Sequence, residues 1–332
     1  MRKKLKDKPV KIQGNDIGVT DVDTYLGFKI SQRGVADSIK KTFDDRLEKA
    51  WSKMFSIKRL LKHPAIQKNG YLRSAVTLFR AAVIPTLLYS CECWFGISPN
   101  MMKVVEAAYR KLLYKLLDIP VHTKYETILL ELGLKRAADI INSQKIIYIN
   151  RIVSEGLNPL GHTLLKSDHE KCLGTSEESI FDEIRRLSEM MNVGDIFIEM
   201  LDKDEIKFRV KKWMKKELWR ESMKSSLSQT VCTTNQSFKP YHYMTRQRGR
   251  AVLLWKAGAL RFRRTWKNYY VKRKMRYDCP YPICGSDDTF DHSTQCMFVR
   301  TKLRHGPIDD YKIADYVVDL HRERMKYRLP LI

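Results

Sequence analysis

The sequence predicts a mainly α protein, a helical bundle preceded by a short β-hairpin and followed by a small basic module. Three observations carry this expectation. An alternating apolar pattern runs to about residue 30 and then gives way to apolar spacings of three and four. Those spacings recur in successive segments broken by prolines, with no repeat at the roughly 20–50-residue periods that mark a solenoid. Beyond residue 228 the composition changes, and Lys and Arg alternate with aromatic residues.

The elements follow in order. Residues 9–30 read as extended, with a turn at Gly14-Asn15-Asp16 and alternating apolar positions leading into Tyr25-Leu26-Gly27-Phe28. From about Ala36, Ile39, Phe43, Leu47, Ala50, Trp51, Met54, Phe55, Ile57 and Leu61 fall at spacings of three and four and mark an amphipathic helix that ends before Pro64. A second helix is expected from Lys68 to Ile84, halting at Pro85. Ser98-Pro99 is a helix start, with Ser98 as N-cap and Pro99 in the first turn; the helix runs to the break at Ile119-Pro120. Its Met and aromatic residues fall at core spacing. Further helices fit Tyr125–Leu132, Lys135–Ser154, Glu177–Met191 and Ile206–Leu227, and a tail helix is expected within 301–332. The expected division is a hairpin over 1–35, a helical bundle over 36–165, a helical connector and polar linker over 166–235, a basic aromatic module over 236–300 and a tail helix over 301–332.

Composition bounds the function. An apolar fraction of 43% over 332 residues supports a buried core. Lys and Arg number 62 against 38 Asp and Glu, a net charge of +24. Such an excess points to a polyanionic partner, because each neutralised phosphate releases condensed counterions. Seven unevenly placed cysteines do not form a disulfide framework. The basic N-terminus has no apolar region behind it and is not a signal peptide. Ala81 to Ile97 contains Pro85, Ser90 and Glu92 and falls short of the ~20 apolar residues a span requires. Nucleus or cytoplasm is the expected location, and no membrane is expected as a partner.

From Lys239 to Tyr277 the chain carries thirteen Lys and Arg and no acidic residue. Arg246, Arg248, Arg250, Arg261, Arg263, Arg264, Lys267, Lys272, Arg273, Lys274 and Arg276 are candidate phosphate contacts. Trp266 and its aromatic neighbours suit stacking on unpaired bases. Trp255 and Phe262 fit equally as core of the module. Immediately after this stretch comes Cys279-x4-Cys284-x7-His292-x3-Cys296. Three thiolates and an imidazole close a tetrahedral zinc shell with no open position, so the expected Zn2+ is structural and stabilises the basic module.

Catalytic constellations are missing from the pattern. Two-metal polymerisation needs carboxylates that hold two ions about 4 Å apart. Asp44-Asp45 lies inside a helical pattern, where adjacent residues do not share a face. Asp287-Asp288 reads as turn chemistry within the zinc loop, and no phosphate-cradling glycine loop or Ser/His/Asp set is present.

Several motifs, in this order, resemble the C-terminal half of a non-LTR (LINE-type) retrotransposon reverse transcriptase. Tyr25-Leu26-Gly27 resembles the Tyr-Leu-Gly of the family's primer grip, and Leu88-Tyr89-Ser90-Cys91-Glu92-Cys93-Trp94 is similar to the Leu-Tyr-Gly-x-Glu-x-Trp run of its helical thumb. Cys279, Cys284, His292 and Cys296 look like its terminal CCHC zinc knuckle, with Cys-x4-Cys where the family usually has Cys-x2-Cys. The resemblance implies a thumb-like bundle, contacts of Tyr25, Leu26 and Gly27 with nucleic acid, and binding of template RNA and target DNA. It further implies that the catalytic aspartates belong to an upstream polymerase domain, so this chain alone is not expected to be an enzyme. Two alternatives stand beside this expectation. One is a working part of an RNA-directed DNA polymerase completed by that palm. The other is a helical scaffold whose zinc module binds protein.

Overall fold

A computed structural model describes residues 10–12, 15–17, 21–121, 123–154, 159–172, 179–194, 197, 202–223, 239–257, 259–260 and 310–326. The molecule is mainly helical, with short antiparallel hairpins at its N-terminal end. β1 (Val10–Ile12) pairs with β2 (Asn15–Ile17), so Asn15 and Asp16, expected in a turn, are strand residues. β3 (Val22–Tyr25) pairs with β4 (Phe28–Ser31), with Tyr25 opposite Phe28.

Helix α1 (Val35–Leu60) buries Ile39, Phe43, Ala50, Met54 and Ile57 of the expected apolar set, whereas Trp51 is only partly buried and Phe55 faces solvent. The hairpin is fastened to it by two backbone-to-side-chain hydrogen bonds, one buried and one partly buried. Lys29 N donates to Thr42 Oγ1 at 2.8 Å, and Ser31 N donates to Ser38 Oγ at 2.8 Å. α2 (Pro64–Lys68) and α3 (Tyr71–Leu78) come next. The helix expected to halt at Pro85 does not. A π-helical turn, Phe79–Val83, precedes α4 (Ile84–Leu87), and Pro85 sits in the first turn of α4. The wider π turn restarts the hydrogen-bond pattern, so the missing amide and the ring of Pro85 fall where a helix start tolerates them.

Ser98 caps α5 (Pro99–Leu117) as the sequence predicts, its Oγ accepting from Met101 N at 3.2 Å. α6 (Tyr125–Leu132) ends on left-handed Gly133. The start of α7 (Ala137–Ser154) is capped from α5: Glu106 accepts from Ala137 N at 3.2 Å and Ala138 N at 2.9 Å. α8 (Pro159–Cys172), absent from the sequence reading, precedes α9 (Ile180–Met190) and α10 (Lys203–Met223). A short 3-10 turn, Pro240–Tyr243, leads into α11 (Arg246–Lys256), and α12 (Asp310–Lys326) packs along it.

Two apolar clusters organise these helices. The larger joins α1, α3 to α6 and the start of α7 to Tyr241, Val252, Leu253, Leu254, Leu260, Ala314 and Val317. The smaller is built from Ile146, Ile149 and Val153 of α7, Leu165 of α8, Ile184 and Leu187 of α9, and Ile206, Val210 and Met214 of α10. The boundary between cores therefore falls within α7 and α10 rather than at residues 165 or 235. Tyr241, Met244, Leu253, Leu254, Trp255 and Leu260, expected in a separate basic module, join the main core. Among the described residues no helix is long and apolar enough to cross a membrane.

Candidate nucleic-acid interface

Two motifs 63 residues apart in the sequence meet in space. Leu26 and Gly27 form the two-residue turn between β3 and β4, with φ of 46° and 80°, the positive values a type I′ turn requires at both positions. Tyr25 and Leu26 project from its tip, 67% and 75% exposed. Beneath it, Arg46 Nη2 of α1 donates to the Gly27 carbonyl at 2.8 Å, and the Arg46 guanidinium lies 4.1 Å from the centre of the Tyr89 ring. Tyr89 in turn donates its hydroxyl to the Leu26 carbonyl at 3.1 Å. A Cβ on Gly27 would meet Arg46 Nη2, so a larger residue would have to displace the guanidinium, and the positive φ at this position also favours glycine. The remainder of the second motif is core only in part, since Cys93 is exposed. Leu88, Cys91 and Trp94 are buried, and Trp94 meets Phe43 edge-on at 6.3 Å.

The three described arginines of the basic stretch are held within the fold. Arg246 Nη2 donates to Asp118 Oδ2 at 2.6 Å and lies over the Tyr71 ring at 5.3 Å. Arg250 donates to the Asp118 carbonyl at 2.5 Å, and Arg248 pairs with Asp315 of α12. Asp118 ends α5 in a left-handed conformation and also accepts from Lys58 Nζ of α1 at 2.6 Å. Burial opposes its charge, but the Lys58 hydrogen bond and the charges of Lys58 and Arg246 outweigh burial and lower its pKa. α1, α5 and α11 thus converge on one carboxylate. Arg261, Arg263, Arg264, Trp266, Lys267, Lys272, Arg273, Lys274 and Arg276 lie outside the described residues, as do Cys279, Cys284, His292 and Cys296. Among the described residues no group of three or more His, Cys, Asp or Glu is placed to hold a metal ion.

Asp44 is exposed, whereas Asp45 turns aside to pair with Lys49 at 2.7 Å, as residues on different helix faces do. The hydrogen bond from Lys49 lowers the pKa of Asp45 despite some desolvation.

A second basic surface emerges on α10, where the sequence reading saw only a connector. Ile206, Val210, Met214 and Leu218 bury one face. Opposite them, Lys211, Lys212, Lys215 and Lys216 are exposed together with Phe208 and Trp219, which are 60% and 48% exposed. Three acidic residues of the same helix are engaged: Asp204 with Lys207, Glu205 with Arg209 and Glu217 with Arg220. Lys211, Lys212 and Lys216 have no ion-pair partner among the described residues. The signal was present as paired lysines at 211–212 and 215–216 between Phe208 and Trp219. Charge alone did not tell the outer face from the inner one.

No family model, curated protein or solved structure matches this chain.

The residues themselves therefore carry the chemistry. The outer face of α10 offers mobile ammonium groups for phosphates and two aromatic faces for unstacked bases, with no arrangement that distinguishes one base from another. A cavity of about 600 Å³ opens beside it, between α7 and α10, lined in part by Lys135, Arg151, Lys207 and Lys211. A second, of about 920 Å³, runs along α5 past Lys103, Lys111, Lys115 and Arg250.

Proposed function

We propose that this chain is a nucleic-acid-binding protein, the C-terminal part of a reverse transcriptase of the non-LTR retrotransposon type without a polymerase site of its own. In this reading it holds template RNA and target DNA, mainly through phosphates. The observation that carries the binding role is the outer face of α10, where Lys212 and Lys216, without an ion-pair partner among the described residues, lie between exposed Phe208 and Trp219. The net charge of +24 supports it by favouring any polyanion. The contact between Tyr89 and the Tyr25-Leu26-Gly27 tip supports the family assignment, since it ties together the two motifs on which the resemblance rests. The thumb-like role of the bundle and the CCHC module belong to the same proposal. Cys279, Cys284, His292 and Cys296 are its zinc ligands, and their donor set suits a closed structural site.

The test is binding of single-stranded RNA by the full chain and by the triple variant Lys212→Ala, Lys216→Ala, Trp219→Ala. Two lost phosphate contacts and one lost stack are expected to weaken binding at least tenfold, on the basis of about 1–3 kcal/mol per stacked base. Unchanged affinity would remove α10 from the interface. For the zinc assignment, elemental analysis should give one Zn2+ per chain, lost when Cys279 and Cys284 are both replaced by serine; a metal-free wild-type chain refutes it.

A further inference from the structure

We propose that the cavity between α7 and α10 is a phosphate site, taking a phosphate group of a nucleotide unit between Lys135 and Lys211. It rests on the nucleic-acid reading only for what carries the phosphate.

The cavity encloses about 600 Å³, within the range of small-ligand pockets and large enough for one nucleotide. Its charged lining residues are Lys135, Arg151, Lys207, Lys211 and Glu92, four cations against one carboxylate. Lys207 is compensated by Asp204 at 2.9 Å. Lys135 and Lys211 have no ion pair among the described residues. Lys135 stands on the loop between α6 and α7, and Lys211 on α10, so two different elements bring these ammonium groups to one concavity. The surrounding protein, and then the charge of Lys211, lower the pKa of Lys135. Like charges gathered without an anion disfavour one another, and an anion placed between them removes that cost.

Phosphate fits better than a single carboxylate because it has more acceptor oxygens to share among several cations, and lysine binds it as a point charge. Tyr148, partly exposed on the same wall, gives a ring against which the sugar or base can lie. Lys211 belongs to the cavity and is followed on α10 by Lys212 and Lys216 of the outer face, so a strand lying on that face has this cavity at its edge.

The experiment uses the full chain and two double variants. Lys135→Met with Lys211→Met empties the cavity of its free cations, and Lys212→Met with Lys216→Met alters only the outer face. The probes are adenosine 5′-monophosphate and one oligonucleotide prepared with a 5′-phosphate or a 5′-hydroxyl. Saturable binding of the monophosphate is expected, weakened at least about tenfold by the cavity variant and unaffected by the outer-face variant. Tighter binding of the 5′-phosphorylated strand, lost in the cavity variant, identifies a terminal phosphate as the source. Equal affinity for both strands, each weakened in the cavity variant, identifies an internal phosphodiester. If neither the monophosphate nor either strand responds to the cavity variant, the proposal is wrong. Should that variant not fold, protection of Lys135 from reductive methylation by the monophosphate is read on the wild-type chain, and absence of protection is equally decisive. Failure of the outer-face variant to alter strand binding would count against α10 as interface and leave the monophosphate result standing.

Discussion

Ser90 shows how a single residue records both resemblance and departure. It adopts φ 58° and ψ 23°, a left-handed conformation, at the junction between α4 and the 3-10 turn Cys91–Cys93. The thumb run that this segment resembles has glycine at that position. A serine there bears a steric cost that glycine avoids. Ser90→Gly should therefore stabilise the fold by about 0.5–1 kcal/mol, net of the larger chain entropy of glycine in the unfolded state, as read from urea denaturation. An equal or greater destabilisation would mean that the serine side chain has a role the backbone geometry does not reveal. Other residue-scale expectations fared differently. Ser98 and Pro99 were legible because capping is local chemistry. The structural engagement of Arg246 and Arg250 was not legible, because Asp118 lies more than a hundred residues away in the sequence.

At the scale of elements, Lys239, Tyr241 and His242, expected in the basic module, form a buried anchor. Lys239 Nζ pairs with Glu131 Oε2 of α6 at 2.6 Å, and the Tyr241 hydroxyl donates to the same oxygen at 2.7 Å. His242 is buried beside them. Burial, helped by the charge of Lys239 and opposed by that of Glu131, pushes its pKa from 6.5 down to about 4. The unfolded chain therefore binds a proton that the folded chain refuses between these values. Stability from this group is full above about pH 6.5 and is lost as pH falls towards 4, an effect of roughly 3 kcal/mol. Burial raises the pKa of Glu106 and Asp139 and works in the opposite direction, so the wild type is best compared with His242→Asn. The difference in unfolding free energy between the two should change over this pH range; a constant difference would place His242 in water. Helix α10 carries the converse lesson. Its periodicity was plain, but which face met the small core depended on α7, α8 and α9, and α8 was not anticipated at all. Pro85 likewise misled, since a π turn is a tertiary accommodation that no local pattern announces.

For the whole molecule, fold class was legible because it depends on many apolar positions at once. The mainly helical body and the N-terminal hairpin both follow from a change of period near residue 30. The partition into units was less legible, because the change of composition near residue 228 tracks charge, whereas cores are defined by contacts between distant helices. The basic stretch divides accordingly: Arg246, Arg248 and Arg250 lie on a helix that also buries Val252, Leu253 and Leu254 in the main core, and α10 supplies a lysine-rich face elsewhere. In the proposed function this charge serves phosphate contacts. The most direct measurement is the affinity of the full chain for a single-stranded RNA across a series of salt concentrations. With several lysines engaged, the logarithm of the association constant should fall linearly with the logarithm of salt, each contact contributing about −0.7 to the slope. A slope near zero would show that the charge does not serve nucleic-acid binding.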